Sequence, residues 1–372
     1  MAEKRSQSAE PAEPVVLWWS RSGRDYSRDR IIRRAFRRLG WRVCDFRPQL
    51  SPTADWEARL RRLTPPSLIW VPCFRQRDAA AALRWGARHQ VPVVMDPLIS
   101  AWDKQVFERR KFAADSRAAR RLLRWESDRL NASAAVVADT WGHAQLFESE
   151  HRVSRDKLQV IPVSAEESLF RPAPVPRGRS RKRVLFYGSF IGLQGPEHIT
   201  KAACQLEECD WLLIGDGPLT SSCRRIAANS QHIRFRSNVP YAELGQAIAD
   251  SDIVMGIFGD SAKASRVIPN KVYQAMACGR PIVTRSSDAY PSALLHDNSE
   301  QTGITWTRPA TPQSIVTAVR QLLDTGEDGL TRIGQAAYDV YKTHFSEQAV
   351  SNGLAELLVR TVPRSDHGQQ AA

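Results

Sequence analysis

The 372 residues, 42% hydrophobic and 8% aromatic, are enough for two or three domains with real cores. No apolar run approaches the roughly 18 residues that span a bilayer, and residues 1–14 are too polar and acidic for a signal peptide, so a cytoplasmic protein is expected. The net charge of +13 is lopsided: residues 1–176 hold 32 basic against 21 acidic side chains, a net of +11, which points to an anionic partner on that half.

Residues 1–14 are expected to form a disordered tail. Residues 15–19, V-V-L-W-W, read as a buried strand followed by the polar loop S-R-S-G-R-D-Y-S. A helix from about Ser27 comes next, with Ile31, Ile32, Ala35, Phe36 and Leu39 on one face and Gly40 at its end. Arg30, Arg33, Arg34, Arg37 and Arg38 fall on the opposite face. Strand-like runs recur at 41–46, 67–72, 91–95 and 134–138 with helical segments between them, a pattern that predicts a parallel sheet with helices on both faces. Ligands of such sheets lie outside the carboxyl ends of the strands. That nominates Arg21, Gly23 and Arg24 after the first strand, Asp96 after the fourth, and Asp139 with His143 after the fifth. One long helix over about 103–130 is expected to carry Arg117, Arg120, Arg121 and Arg124 as a second basic stripe. Both stripes read equally as solvated faces or as surfaces for an anionic partner, an anionic membrane among them.

Residues 169–182, rich in Pro and Arg, read as a linker between a first domain at 15–168 and a second at 183–345. Alternation restarts with a strand at 183–187 and the loop G-S-F-I-G-L-Q-G-P, then D-W-L-L-I-G-D-G-P at 210–218 and I-R-F-R-S-N-V-P-Y at 233–241. A buried strand at 253–257 breaks at Gly259, Asp260 and Ser261 into a loop carrying Lys263 and Arg266. Pro269 opens a helix with Val272, Tyr273, Met276 and Ala277 at helical spacing, which Gly279 ends. Fixed cations feeding a helix N-terminus make an anion site, because the free N–H groups and the dipole both favour negative charge. Helices are expected at about 311–323, 330–343 and 346–362, with a tail at 363–372. Six cysteines without a C-x-x-C pair or a nearby histidine cluster support neither a zinc site nor a disulfide framework.

The tail Q-A-M-A-C-G-R-P-I-V of this stretch resembles the donor-side motif of the GT-B glycosyltransferases, specifically the retaining family 4 (group 1) type. There a glutamate, seven residues and a second glutamate lead into E-A-M-A-x-G-x-P-V-V; here Arg266 and Gln274 stand at the glutamate positions. Pro269, Asn270 and Lys271 resemble a subset in which the lysine faces the nucleotide phosphates. The glycine loop is similar to the one that cradles the diphosphate, with Ser189 and Gln194 where the family carries an arginine and a lysine. I-G-D-G-P matches at Asp216 and Gly217, and the segment ending at Tyr241 matches the one whose backbone near Val239 meets the base. Residues 156–172 are similar to the family's domain crossing without its N-G-V-D core. The resemblance covers 184–323 by motif and the first half by layout.

It implies an α/β GT-B fold: two Rossmann-like domains facing each other across a cleft, with the helix at 346–362 crossing back onto the first. It further implies transfer from a nucleotide-sugar to a glycan or lipid-linked acceptor, with retention, no metal and no other cofactor. On that reading Arg266, Lys271 and Asp96 are the catalytic candidates. Gly188, Ser189, Gln194, Gly195, Asp216, Gly217, Val239, Lys263, Pro269, Asn270 and Gln274 bind the donor, and Arg21, Gly23, Arg24, Asp139 and His143 the acceptor. A GT-B nucleotide-sugar epimerase is the alternative, disfavoured by a donor loop poor in carboxylates. No nucleic-acid partner is expected, since no recognition module is present.

Overall fold

The computed structural model describes residues 13–23 and 26–362. Of the tail expected over 1–14 only Glu13 and Pro14 are therefore described, and the Pro14 carbonyl already accepts from the Arg42 N–H at 2.9 Å. Arg24 and residues 363–372 lie outside the described residues.

Six short apolar runs form the first sheet: β1 (Val15–Trp19), β2 (Arg42–Phe46), β3 (Leu68–Val71), β4 (Val93–Met95), β5 (Ala135–Ala138) and β6 (Leu158–Val160). Their order is β2-β1-β3-β4-β5-β6, with every pair parallel. Successive side chains alternate faces, so both faces need apolar residues. Leu17, Trp19, Ile69, Met95 and Val136 pack on one helical layer, and Val16, Trp18, Trp70 and Val137 on the other. The edge strand β6 falls in the stretch read from sequence as the domain crossing; its half-buried L-Q-V has too little apolar character to signal a strand.

The second sheet holds β7 (Lys182–Tyr187), β8 (Cys209–Ile214), β9 (Ile233–Arg236), β10 (Ile253–Met255), β11 (Ile282–Arg285) and β12 (Ile304–Thr307), again all parallel, in the order β12-β11-β10-β7-β8-β9. The chain winds outward from β7 in one direction and from β10 in the other. The crevice beyond the carboxyl ends of β7 and β10 is thus the topological switch point, where ligands of open α/β sheets bind.

Two expectations about the basic helices need correction. The long helix over 103–130 is broken: a turn at Ala101–Asp103 runs into a π-helical turn, Lys104–Glu108, and a new helix starts at Arg117–Ala132. Ser116 supplies the restart, its hydroxyl accepting from the Ala119 N–H at 3.1 Å. The first arginine stripe is not a free cationic face. Arg30 pairs with Glu166 at 2.6 Å, Arg34 and Arg38 with Glu347 at 2.7 Å each, and Arg33 is buried on the Trp18 ring and against Asp45. These acids come from distant segments that sequence spacing could not place beside the helix.

The last helix, Glu347–Thr361, lays Val350, Leu354 and Leu357 on Ile31, Ile32 and Phe36, so it belongs to the first domain's core. The linker is tied down. The buried Arg280 guanidinium donates to the carbonyls of Ala173 (2.7 Å), Pro174 (2.9 Å) and Ala249 (2.7 Å), fastening its Pro-rich backbone to the second domain.

Candidate functional site

The switch point of the second sheet is built by two interlocked loops. Gly188, directly after β7, has φ of 140°, and a Cβ there would meet the Gln194 Oε1 at 2.5 Å, so only glycine lets that side chain fold back over the turn. Gly195, also at positive φ, precedes the helix Pro196–Ala203. From the other side, Pro269 in extended conformation starts the helix Asn270–Ala277. Lys271 in its first turn is buried and donates to the Gln194 Oε1 at 2.8 Å, with its ammonium 3.9 Å from the centre of the Phe186 ring. Burial holds the Lys271 ammonium well below the usual lysine range. The lysine and the glycine loop therefore meet around one amide. The Gln274 Oε1 accepts from the Tyr187 hydroxyl at 2.8 Å, and the Gln274 amide donates to Tyr241. Ser189 is exposed in the loop, and Val239 packs against the second domain's core. Asp216 is spent within its own turn, accepting from the Gly217 N–H (2.7 Å) and the Thr220 hydroxyl (2.9 Å).

The carboxyl ends of both sheets' strands meet across the cleft. After β5, the Thr140 hydroxyl donates to the Arg266 carbonyl at 2.7 Å, and a Cβ on Gly142 would lie 2.9 Å from the Arg266 Cα. After β1, Tyr26 accepts from the Asn270 amide at 3.3 Å. Between them the segment 101–108 supplies carboxylates: Glu108 of the π-helical turn to Lys263, and Asp103 of the turn before it to Arg266 at 3.2 Å. Two of the three cations expected to meet phosphate thus already have partners from the first domain, and Lys271 has none of that kind.

On the first domain's side, Asp96 is fully buried and grips the Arg28 Nε at 2.8 and 3.0 Å, while Arg28 also donates to the carbonyls of Ile161 and Pro162. This carboxylate sits inside an ion pair and is not presented to the cleft. Asp139 and His143 form a buried dyad, Oδ1 to Nδ1 at 2.5 Å, directly beside the Thr140 and Gly142 contacts. Arg21 and Gly23 instead line a cavity of about 330 Å³ with Trp18, Asp45 and Arg47 at the ends of β1 and β2. The end of β1 lies three strands from that of β5, about 14 Å at the usual strand spacing, so the two sets nominated as acceptor residues are separate places.

Sequence reasoning missed Asp29, Asp103 and Glu108. Burial, and then the neighbouring Asp96, push the Asp29 carboxyl up to about 7, while its Oδ1 accepts from the Cys73 N–H at 3.4 Å. In sequence it is one acid in the first turn of an arginine-rich helix, which reads as a dipole complement. Asp103 and Glu108 lay inside the supposed long helix and carried no signal. Glu126 anchors their turn, accepting from the Ser100 hydroxyl (2.7 Å) and the N–H groups of Ala101 (2.7 Å) and Trp102 (3.0 Å). Among the described residues no group of three or more His, Cys, Asp or Glu converges as metal ligands do, and no helix is long and apolar enough to cross a membrane.

Comparison with known proteins agrees with this geometry. A family model described as Glycosyl transferases group 1 matches residues 181–325. D-inositol 3-phosphate glycosyltransferase of Acidothermus cellulolyticus is 30% identical over 87 residues, 22% of this chain; the match spans 19% of that relative's length. Among solved structures, Alr3699/HepE of Anabaena in complex with UDP and glucose superposes with a TM-score of 0.69 at 14% identity, covering 93% of this chain and 99% of that one. Sucrose-phosphate synthase of Thermosynechococcus elongatus gives 0.68 at 16% identity, covering 94% and 98%. The chain has the GT-B fold of two Rossmann-like domains, and its second domain is the part that matches the glycosyl transferases group 1 model.

Proposed function

We propose that the protein transfers a sugar, with retention, from a nucleotide-sugar held by the second domain to an acceptor held by the first. The observation that carries the reading is the convergence of the glycine loop after β7 and the helix start at Lys271 on Gln194, at the switch point and facing the other domain. Such a cradle offers backbone N–H groups, a helix N-terminus and an uncompensated lysine to a diphosphate. Lys271 and Arg266 are assigned to the leaving diphosphate, where charge grows as the bond from the sugar C1 to the phosphate oxygen breaks. Lys263 joins them once Glu108 is displaced. The UDP bound by Alr3699/HepE, and the group 1 family match, support a nucleoside diphosphate as the leaving group.

The Asp139–His143 dyad and Asp29 are assigned to the acceptor side, which we read as a glycan or lipid-linked hydroxyl compound. Asp96 acts there through Arg28, by holding the carbonyls of Ile161 and Pro162 and so the crossing between the domains. No metal is assigned a role. The test is incubation with a panel of nucleotide-sugars and candidate acceptors, reading nucleoside diphosphate release and the anomeric configuration of the product by NMR. Release that needs an acceptor, yields a retained linkage and survives chelator supports the reading. Conversion of the sugar with no acceptor and no release points to an epimerase instead.

A further inference from the structure

The first sheet's helical layers differ in what their charges do. On the layer of the first and last helices, Arg30, Arg34 and Arg38 are paired with Glu166 and Glu347. The opposite layer is made by the helices Ala54–Leu60, Ala79–His89 and Arg117–Ala132, packed side by side over one core. Its acids on the first of these helices are already engaged, Asp55 by Arg84 at 2.6 Å and Glu57 by Arg61 at 2.5 Å. Arg59, Arg88, Arg117, Arg121 and Arg124 are exposed across the three helices, with Asp128 an exposed acid on the third. Within this basic surface stand Leu50, Trp56 and Leu60, which are 56%, 62% and 83% exposed. Trp56 and Leu60 are one helical turn apart and so project together, with the Arg59 guanidinium 5.1 Å from the Trp56 ring.

We propose that this three-helix face docks on an anionic lipid bilayer. Exposed large apolar groups inside a cationic rim are what an interface helix offers a bilayer: the indole and leucines enter the headgroup boundary while the arginines stay with phosphate. Charge decides against a second copy of the chain, since an isologous contact would set this basic face against itself. Leucines at 50 and 60 decide against nucleic acid, which rewards arginine and stacked rings but gives exposed aliphatic side chains nothing to bury in. The proposal concerns a binding surface and stands apart from the transferase reading.

The experiment is flotation of the full chain with phosphatidylglycerol-containing vesicles and with pure phosphatidylcholine vesicles, at about 0.1 and about 0.5 M salt. Anionic vesicles are expected to carry the protein at low salt, neutral ones not. Trp56→Ser with Leu60→Ser, and separately Arg117→Gln with Arg121→Gln and Arg124→Gln, are each expected to lower partitioning about tenfold or more. Arg320→Gln with Arg332→Gln on the second domain is expected to leave it unchanged. All these positions are exposed, and melting curves verify that each variant folds. The proposal is overturned if the native chain floats with neither lipid, if both first-domain variants float like the native chain, or if a single-stranded oligonucleotide displaces the vesicles and binds through the same residues.

Discussion

Replacing Lys271 with Met separates its charge from its packing. In the free protein the buried ammonium has the Gln194 amide oxygen at 2.8 Å and the Phe186 and Tyr187 rings beside it, and burial lowers its proton affinity. Between that lowered value and the ordinary lysine value the unfolded chain binds the extra proton and the folded one does not. Stability attributable to this group therefore rises with pH through that window and is lowest on its acid side. Methionine keeps the volume and removes the charge, so Lys271→Met is expected to melt at or above the native protein near neutral pH. A diphosphate reverses the balance by giving the lysine an opposite charge inside a dry site. A charge-assisted hydrogen bond of this kind is worth about 1.5–3 kcal/mol, so the variant should bind a nucleoside diphosphate roughly 10- to 150-fold more weakly. Calorimetry in buffers of different ionisation enthalpy should also show proton uptake on binding to the native protein, growing as pH rises, and none from this site in the variant. Unchanged affinity in the folded variant, or native binding with no proton uptake anywhere between about pH 6 and 10, would refute the reasoning.

Glu108→Gln removes the partner that holds Lys263 before donor arrives, and is expected to raise nucleoside diphosphate affinity about 5- to 30-fold, for roughly 1–2 kcal/mol of lost competition; equal or weaker binding by calorimetry would count against the latch. Asp29→Asn tests the carboxyl raised to about 7. Its folded value lies above the unfolded one, so it lowers stability as pH rises from about 4 to about 7, and the variant should be more stable than the native protein above that window and equal to it below; a pH-independent difference in denaturant midpoints would exclude this. Gly142→Val forces a side chain against the Arg266 backbone, where even a Cβ would lie at 2.9 Å. The expected outcome is a larger radius of gyration by small-angle scattering and a rise in KM for donor, and unchanged dimensions would show that the two domains do not bear on each other at this point.

Some of this was readable directly from the chain, because it depends on local pattern. Apolar runs such as V-V-L-W-W and I-V-M, short and separated by helical periodicity, read as buried parallel strands, whereas the strand order, and with it the switch point at which Lys271 and the glycine loop meet, was decided by the fold. The second domain's motifs were equally local, since a turn's glycines and a helix's opening proline act on their own neighbours. What the chain could not disclose was pairing between segments far apart in sequence. The arginines at 30, 34 and 38 share the i, i+4 spacing of a solvated face, and only the packing of Glu166 and Glu347 against them, 136 and 313 residues away for the bonded pairs, turns that face inward. Asp103 and Glu108 are two acids in a basic stretch until the domains come together and set them on Arg266 and Lys263. Burial of a charge, and with it the raised carboxyl of Asp29 and the depressed ammonium of Lys271, is likewise a property of the assembled interior, because desolvation depends on every element that closes around the group and on none of them alone.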